Sequence, residues 1–466
     1  MSEYPVVVVG EGPVGLAAAA QLLERGLEPL VLERGERAGT AVAEWHHVRL
    51  FSSWSELVDP AAGRLLEPTG WVRPAGRGYP TGREWAESYL QPLADVLGKR
   101  VRFGAEVVGV ARRGRDRVVD SGRDAEAFSV HVRSVDGAEG RIFARAVIDA
   151  SGTWVGVNPL GGEGLPAIGE ATAADRIVYR VPDLGDPATR GRYAGRHIVV
   201  AGSGHSALTA LVALSGLAEQ DPSTRISWVL RRGGIGNTFG GGDADQLPAR
   251  GALGLRARSA VEAGLISVVT GFRTETVERD TAGRLTLVSA AGQRLENVDE
   301  VVTLTGFRPQ LEWLSEIRLE LDPTLQAPVR LAPLVDPNVH SCGTVYPHGA
   351  KELAHPEQDV YLAGVKSYGR APTFLAQTGY EQVRSIAAEL AGDHEAAARV
   401  ELILAETGVC GGAGLFDEQD PGAGGCCGPA AAEPGVAGPV ELVAAGCCGP
   451  AEPEVLTLSA PLGRGN

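Results

Sequence analysis

The sequence has 466 residues, 44% hydrophobic and 22% charged, a balance that fits a globular protein of two or three domains. Its net charge of −15 argues against nucleic acid or an anionic membrane surface as the main partner. No run approaches the roughly 18 apolar residues of a membrane span.

The first predicted element starts at Val6, which leaves no room for a signal peptide and points to the cytoplasm. Val6 to Val9 is a β-branched run, as a strand buried on both faces requires. Gly10, Gly12 and Gly15 follow at G-x-G-x-x-G spacing, ahead of an Ala- and Leu-rich helix from Leu16 to Arg25. Glu28 to Leu32 reads as the next strand, closed by Glu33 and Arg34. Strand, glycines, helix, strand and acid in register form a dinucleotide-binding unit. Gly10 permits the tight turn, Gly12 lets a pyrophosphate approach the backbone, and Gly15 lets helix and strand pack closely. The helix N-terminus attracts phosphate, and Glu33 accepts hydrogen bonds from a ribose diol.

Trp45 to Trp54 holds two Trp, two His and an Arg. It reads either as a segment lining a cofactor or substrate cleft or as a packed aromatic hairpin. His46 and His47 read as a poor metal pair, because adjacent side chains usually point apart. Thr81 and Glu84 form a capping box for a helix reaching about Gly98. Val101–Val110 and Phe128–Val135 read as strands, with Arg112–Glu126 as a solvated charged tip between them. Arg145–Ser151 is a further buried strand, followed by Gly152, and the Gly- and Pro-rich stretch Gly161–Gly169 marks a crossing between domains.

A second fingerprint follows. His197–Ala201 is a strand, and Gly202, Gly204 and Ala207 give G-x-G-x-x-A ahead of a helix at Leu208–Leu217. The next strand, Ile226–Leu230, ends in Arg231-Arg232, which favours a 2′-phosphate and hence NADPH over NADH. Gly233–Gly242 is a Gly-rich loop; Ala257–Ala263 reads as helix and Ile266–Val269 as strand. Val301–Leu304 and Asp359–Gly364 read as strands, and a helix starts near Leu375. The segment 401–466 reads as a flexible tail, poor in large apolar residues, with the repeat Gly-Cys-Cys-Gly-Pro-Ala at Cys426-Cys427 and Cys447-Cys448.

Two fingerprints with the second unit inserted in the first resemble the flavoproteins with two dinucleotide-binding domains, including group B flavin monooxygenases and thioredoxin-reductase-like enzymes. That resemblance implies an α/β fold of two Rossmann-like units: 1–165 and 301–400 for FAD, 166–300 for NADPH, and 401–466 as the tail. It implies FAD on Gly10, Gly12, Gly15, Glu33, Arg34, Ser151, Gly152 and Gly364, and NADPH on Gly202, Gly204, Ala207, Arg231 and Arg232. The chain departs from the reductases in having no Cys before Cys342. It also lacks a clear Phe-x-Gly-x3-His, the usual monooxygenase fingerprint. His340–Thr344, Pro347–Gly349 and Lys366–Phe374 resemble the flavoproteins of arsenic-resistance operons. The implied activity is an NADPH-dependent monooxygenase that uses O2 to oxidise a soft small-molecule or metalloid substrate such as trivalent arsenic. A thiol or metalloid reductase using the tail cysteines and a non-enzymatic metalloid-binding flavoprotein are the alternatives. Cys342 reads as a residue near the substrate site or a packing Cys. The tail pairs Cys426-Cys427 and Cys447-Cys448 read as metalloid ligands, with a redox relay as rival.

Overall fold

The computed structural model describes residues 4–235, 238–339, 348–371 and 374–402. Among these, the strands of the first half are β1 (Val6–Val9), β2 (Pro29–Leu32), β3 (Val101–Arg102), β4 (Ala105–Arg112), β5 (Phe128–Ser134), β6 (Glu139–Ala144) and β7 (Ala146–Asp149). There follow β8 (Ile177–Val178), β9 (His197–Ala201), β10 (Arg225–Val229), β11 (Ile266–Val269), β12 (Thr274–Arg279), β13 (Leu285–Ser289), β14 (Arg294–Val298), β15 (Glu300–Thr303) and β16 (Val360–Leu362).

They form two parallel five-stranded sheets, in the orders β16-β7-β1-β2-β3 and β11-β10-β9-β15-β8. A three-stranded antiparallel sheet accompanies each, β4-β5-β6 and β12-β13-β14. This is the doubly wound α/β architecture expected, with one nucleotide-type unit inserted in the other.

In both units a fully buried strand runs into a helix rich in small residues. Helix Pro13–Glu24 buries Leu16, Ala17, Ala18, Ala19 and Leu22 with no exposed surface. Four consecutive alanines (Ala17–Ala20) keep the helix thin enough to lie close on the sheet, and each buried Leu contributes about 1.5–3 kcal/mol. Helix His205–Gln220 repeats the arrangement, with Ala207, Ala210, Leu211 and Leu214 fully buried.

Several sequence expectations need correction. The strand expected at Val101–Val110 is two strands. Gly104 turns the backbone at φ +62°, so β3 joins the first parallel sheet while β4 starts the antiparallel one. Glu139–Ala144, given no strand from sequence, pairs with β5 as β6. The Arg112–Glu126 tip is not wholly solvated: Arg112 and Arg123 are each 2% exposed.

The crossing between units comes earlier than Gly161. Val157 forms an antiparallel bridge with Phe307, and the Asn158 and Arg308 N–H groups donate to the carbonyls of Gly306 and Gly156. The stretch Gly161–Gly169 already lies against β12, where the Gly162 N–H donates to the Thr274 carbonyl. On the return, β15 pairs with β9 and β8, so the start of the segment 301–400 still belongs to the inserted unit. Sequence missed this because a buried β-branched strand reads the same in either sheet. Among the described residues no helix is long and apolar enough to cross a membrane.

Candidate functional site

The two glycine loops have the same three-part geometry. Gly10 sits at φ +93°, and a Cβ there would lie 2.6 Å from the Ser151 Cα. A Cβ on Gly15 would lie 2.0 Å from the Gly10 carbonyl oxygen. Gly12, which caps helix Pro13–Glu24, has nothing within 4 Å of its would-be Cβ. The second loop repeats this: Gly202 is at φ +128° with its would-be Cβ 2.2 Å from the Leu304 carbonyl oxygen, while Gly204 faces open space. Ala207 replaces the third glycine and is fully buried. The outer positions are glycine or small because protein fills the space. The middle glycines leave space that protein does not fill, which is what a pyrophosphate at a helix N-terminus needs.

Glu33 ends β2, and its carboxylate accepts from the Glu11 N–H at 2.9 Å and the Gly35 N–H at 2.8 Å. The loop backbone therefore fixes the acid. A carboxylate accepts about four hydrogen bonds, so capacity remains for a ribose diol. Arg34 is exposed. At the end of β7, Ser151 donates through both N–H and Oγ to Asp149 Oδ1, and Gly152 turns at φ +69°. Gly364 follows β16 at φ +70°, and its N–H donates to Gln382 Oε1 at 2.8 Å.

Sequence missed Lys366. Its ammonium lies 2.7 Å from Asp149 Oδ2, donates to Ser151 Oγ at 3.0 Å, and sits 5.0 Å from the Trp313 ring centre. Both charged groups are buried. The signal was a lysine in the otherwise apolar and small run after β16. Its partner Asp149 lies far back in the chain and was not legible.

Glu11, between the first two glycines, is also unexpected. It is fully buried, and neither carboxyl oxygen has a hydrogen-bond partner. Burial first, then the negative charges of Glu33 and Asp95, push its pKa up to about 9. A raised carboxyl pKa contributes stability that is complete below the unfolded value near 4.5 and lost as pH rises through about 9. Asp59, raised to about 6 chiefly by burial, behaves likewise in a lower window. Between about pH 6.5 and 9 the wild type should therefore lose up to about 1.4 kcal/mol per pH unit relative to Glu11→Gln. Urea titrations of both proteins across that window check this, and a constant difference between them rejects a neutral buried Glu11.

At the carboxyl end of β10, Arg231 and Arg232 are joined by Arg273, which sequence reading did not pick out. Burial first, then the like charges of Arg232 and Arg273, lower the Arg231 pKa. Arg231 Nη1 reaches the Gly162 carbonyl at 3.4 Å. Three guanidinium groups near one strand end form a basic cluster suited to an anionic group.

The segment Trp45–Trp54 is not a hairpin. It runs from helix Thr40–Glu44 through a bridge of Arg49 with Thr81 into helix Trp54–Leu57. Phe51 packs on His205 at a ring separation of 5.1 Å, so the segment reaches the first turn of the second nucleotide-type helix. Beside it, Trp154 packs on Phe307 at 5.3 Å, Arg180 lies 3.9 Å over Trp154, and Trp154 Nε1 donates to Glu44 Oε2 at 2.7 Å. Burial, with the positive charge of Arg250 adding, lowers the His205 pKa to about 4.

The adjacent histidines also need correction. The rings of His46 and His47 meet edge to face at 5.4 Å, and both approach Asp183. The backbone between helix Thr40–Glu44 and the bridge at Arg49 is irregular, so the alternation that separates neighbours in a strand does not apply. His348 and His355 are buried, at 5% and 9% exposure, where His348 Nε2 meets Gln382 Nε2 and His355 Nδ1 accepts from the Glu320 N–H. Cys342, Cys426, Cys427, Cys447 and Cys448 lie outside the described residues.

Comparison with known proteins agrees with this fold. A family model described as pyridine nucleotide-disulphide oxidoreductase matches residues 4–358. The chain is 26% identical over 174 residues to a digeranylgeranylglycerophospholipid reductase of Methanocella arvoryzae, covering 34% of this chain and 43% of that one. It is 26% identical over 204 residues to indole-3-pyruvate monooxygenase YUCCA1 of Oryza sativa, covering 43% of each. The chain thus spans less than half the length of these curated relatives. In fold it is similar to the bacillithiol disulfide reductase Bdr (YpdA) of Bacillus cereus, with a TM-score of 0.60, 20% identity and 84% and 99% of the two chains covered. It is also similar to the FAD-bound cadaverine monooxygenase DfoA of Erwinia amylovora, with a TM-score of 0.57, 13% identity and 86% and 96% covered.

Proposed function

The chain belongs to the pyridine nucleotide-disulphide oxidoreductase family, and from that premise we propose that it is an NADPH-dependent FAD monooxygenase acting on a soft nucleophile, with trivalent arsenic as the substrate. The duplicated loop carries the reading: in each parallel sheet a strand ends in a glycine pair whose first member is walled in and whose second is open. That is the local requirement for two dinucleotides. FAD fits the first loop, where Gly12 leaves the space, helix Pro13–Glu24 presents its positive end, and Glu33 takes the ribose. NADPH fits the second, where Gly204 leaves the space and Arg231, Arg232 and Arg273 meet the 2′-phosphate. FAD held there would supply the redox chemistry between the nicotinamide and O2.

The chain's own residues bind, orient and shield. Phe51 and Trp154 bring apolar surface where the segment Trp45–Trp54 meets the inserted unit, which limits water there. Lys366 ties Ser151 to Asp149 through its ammonium. The soft substrate rests on the resemblance of the 340–374 region to arsenic-resistance flavoproteins and on the paired tail cysteines. A dithiol reductase is disfavoured because no cysteine precedes Cys342 in the sequence.

Stopped-flow reduction by NADPH, followed by mixing with O2 with and without arsenite, tests the proposal. One NADPH, one proton and one O2 should be consumed for each arsenite converted to arsenate, with NADP⁺ and water formed. Flavin reduction without arsenate formation rejects the substrate, and failure of NADPH to reduce the flavin rejects the enzyme class. Nucleotide choice has its own test. Arg231→Gln with Arg232→Gln should cut the preference for NADPH over NADH by roughly tenfold or more, since each charge-assisted bond is worth about 1.5–3 kcal/mol. Equal flavin reduction by either nucleotide in the wild type would remove the role of these arginines.

A further inference from the structure

From the cluster of His46, His47 and Asp183 we infer a binding site for one divalent first-row metal ion, of the zinc or ferrous type, bridging the two nucleotide-type units. One ligand atom from each residue lies within 4.8 Å of the others. His46 Nε2 and Asp183 Oδ2 are 3.3 Å apart. Two ligands each about 2.0–2.2 Å from one ion at tetrahedral or right angles stand roughly 3.0–3.5 Å apart, so this pair already has the spacing of a shared ion. The third ligand needs to move by about an ångström, within reach of a small change in its side-chain rotamer.

Two further observations point to a ligand. His46 Nδ1 meets the Ala43 carbonyl at 3.1 Å, which fixes the ring and leaves Nε2 for the ion, the arrangement in which a ligating histidine is held by its other nitrogen. Both ring nitrogens of His47 are shut off from solvent, and the Val181 carbonyl is a backbone acceptor beside the ring. That carbonyl can serve one nitrogen, so the other calls for a partner that protein does not supply.

The donor set is two imidazoles and one carboxylate with the remaining positions open, which suits zinc or ferrous iron over calcium or magnesium. Asp183 and His46 are each part-exposed, with side-chain exposures of 27% and 33%, so an ion can enter from solvent. His46 and His47 belong to the segment that packs Phe51 on His205, and Asp183 lies on the inserted unit three residues after Arg180. A bound ion ties these together beside the Trp154–Arg180 stack and limits how far the two units can separate.

The test uses the full-length, tag-free chain with all thiols alkylated, because the paired cysteines would also take up metal. Co2+ serves as the spectroscopic probe and Zn2+ as the stabilising one. The wild type should bind one equivalent of Co2+ with the weak visible bands of nitrogen and oxygen ligation. His46→Ala, His47→Ala and Asp183→Asn should each bind at least about tenfold more weakly, since even outer partners of a metal site cost that much. Zn2+ should raise the unfolding temperature of the wild type and not that of Asp183→Asn, because only an ion held by the native state stabilises it. Circular dichroism confirms that each variant is folded. Absence of binding by the wild type, or binding by any one variant as tight as wild type, overturns the site. Neither result touches the FAD and NADPH reading, which the stopped-flow experiment tests without metal.

Discussion

Gly12→Val should give a folded, colourless protein that retains no FAD. The backbone there is extended, at φ −78° and ψ −176°, which valine adopts freely, and the new Cβ meets no heavy atom within 4 Å. The fold has little to lose beyond a poorer cap on helix Pro13–Glu24, about 1 kcal/mol. The space it fills is the space that the proposed function gives to the pyrophosphate. We expect FAD affinity to fall by at least about a hundredfold, roughly 2.7 kcal/mol. Gly15→Val makes the contrast, because its Cβ would collide with the Gly10 carbonyl oxygen at 2.0 Å and break the packing of helix on strand. Gly204→Val should do in the second loop what Gly12→Val does in the first: flavin stays bound, while reduction by NADPH slows because the nucleotide no longer fits. Absorbance of the purified proteins, flavin released on denaturation and stopped-flow reduction separate the three. A yellow Gly12→Val protein with wild-type flavin content would remove the cofactor assignment of the first loop.

Glu357→Gln should cost about 3–5 kcal/mol of stability, the usual loss when one partner of a buried ion pair is removed. Glu357 is 2% exposed and joins two buried guanidinium groups. Arg112 Nε donates to Oε1 at 2.8 Å, and Arg123 donates to Oε2 through Nε at 3.0 Å and Nη2 at 2.7 Å. The Arg318 N–H adds a fourth, longer bond at 3.3 Å. Burial opposes ionisation of Glu357, but the hydrogen bonds from Arg123 and Arg112 prevail and hold its pKa below the usual carboxylate value. A depressed carboxyl pKa contributes stability that is present above the unfolded value and is lost as pH falls through the folded one. The glutamine is neutral, so two guanidinium charges are left in a buried site without the carboxylate they share. The network fastens the β4-β5-β6 sheet to the approach to β16, so a lower urea midpoint should come with early loss of protection in that sheet by hydrogen exchange. A midpoint within experimental error of wild type would show that the pair is dispensable. Arg112→Met and Arg123→Met placed together with Glu357→Leu should recover part of the loss, because apolar groups of similar volume carry no desolvation cost.

The sequence by itself determined both glycine loops, the strands that lead into them, the helices that follow, and the insertion of one unit in the other. These are local properties. A β-branched run, three glycines and a helix former occupy about one βαβ unit, and the backbone freedom each glycine supplies is needed within a few residues of where it stands. The capping box of Thr81 and Glu84 was legible for the same reason, since both partners lie in one turn. Only the tertiary structure decided that Arg112 and Arg123 are buried, since the carboxylate that makes this tolerable is Glu357, more than two hundred residues on. It also decided that Lys366 pairs with Asp149, that Arg273 joins Arg231 and Arg232, that β15 lies in the inserted sheet, and that His46 and His47 meet at Asp183. In each case the partner is brought by the fold from a distant part of the chain. A charged or ligating side chain announces the chemistry it can perform, but its energy depends on the groups beside it, and those are set by packing and not by the neighbouring letters of the sequence.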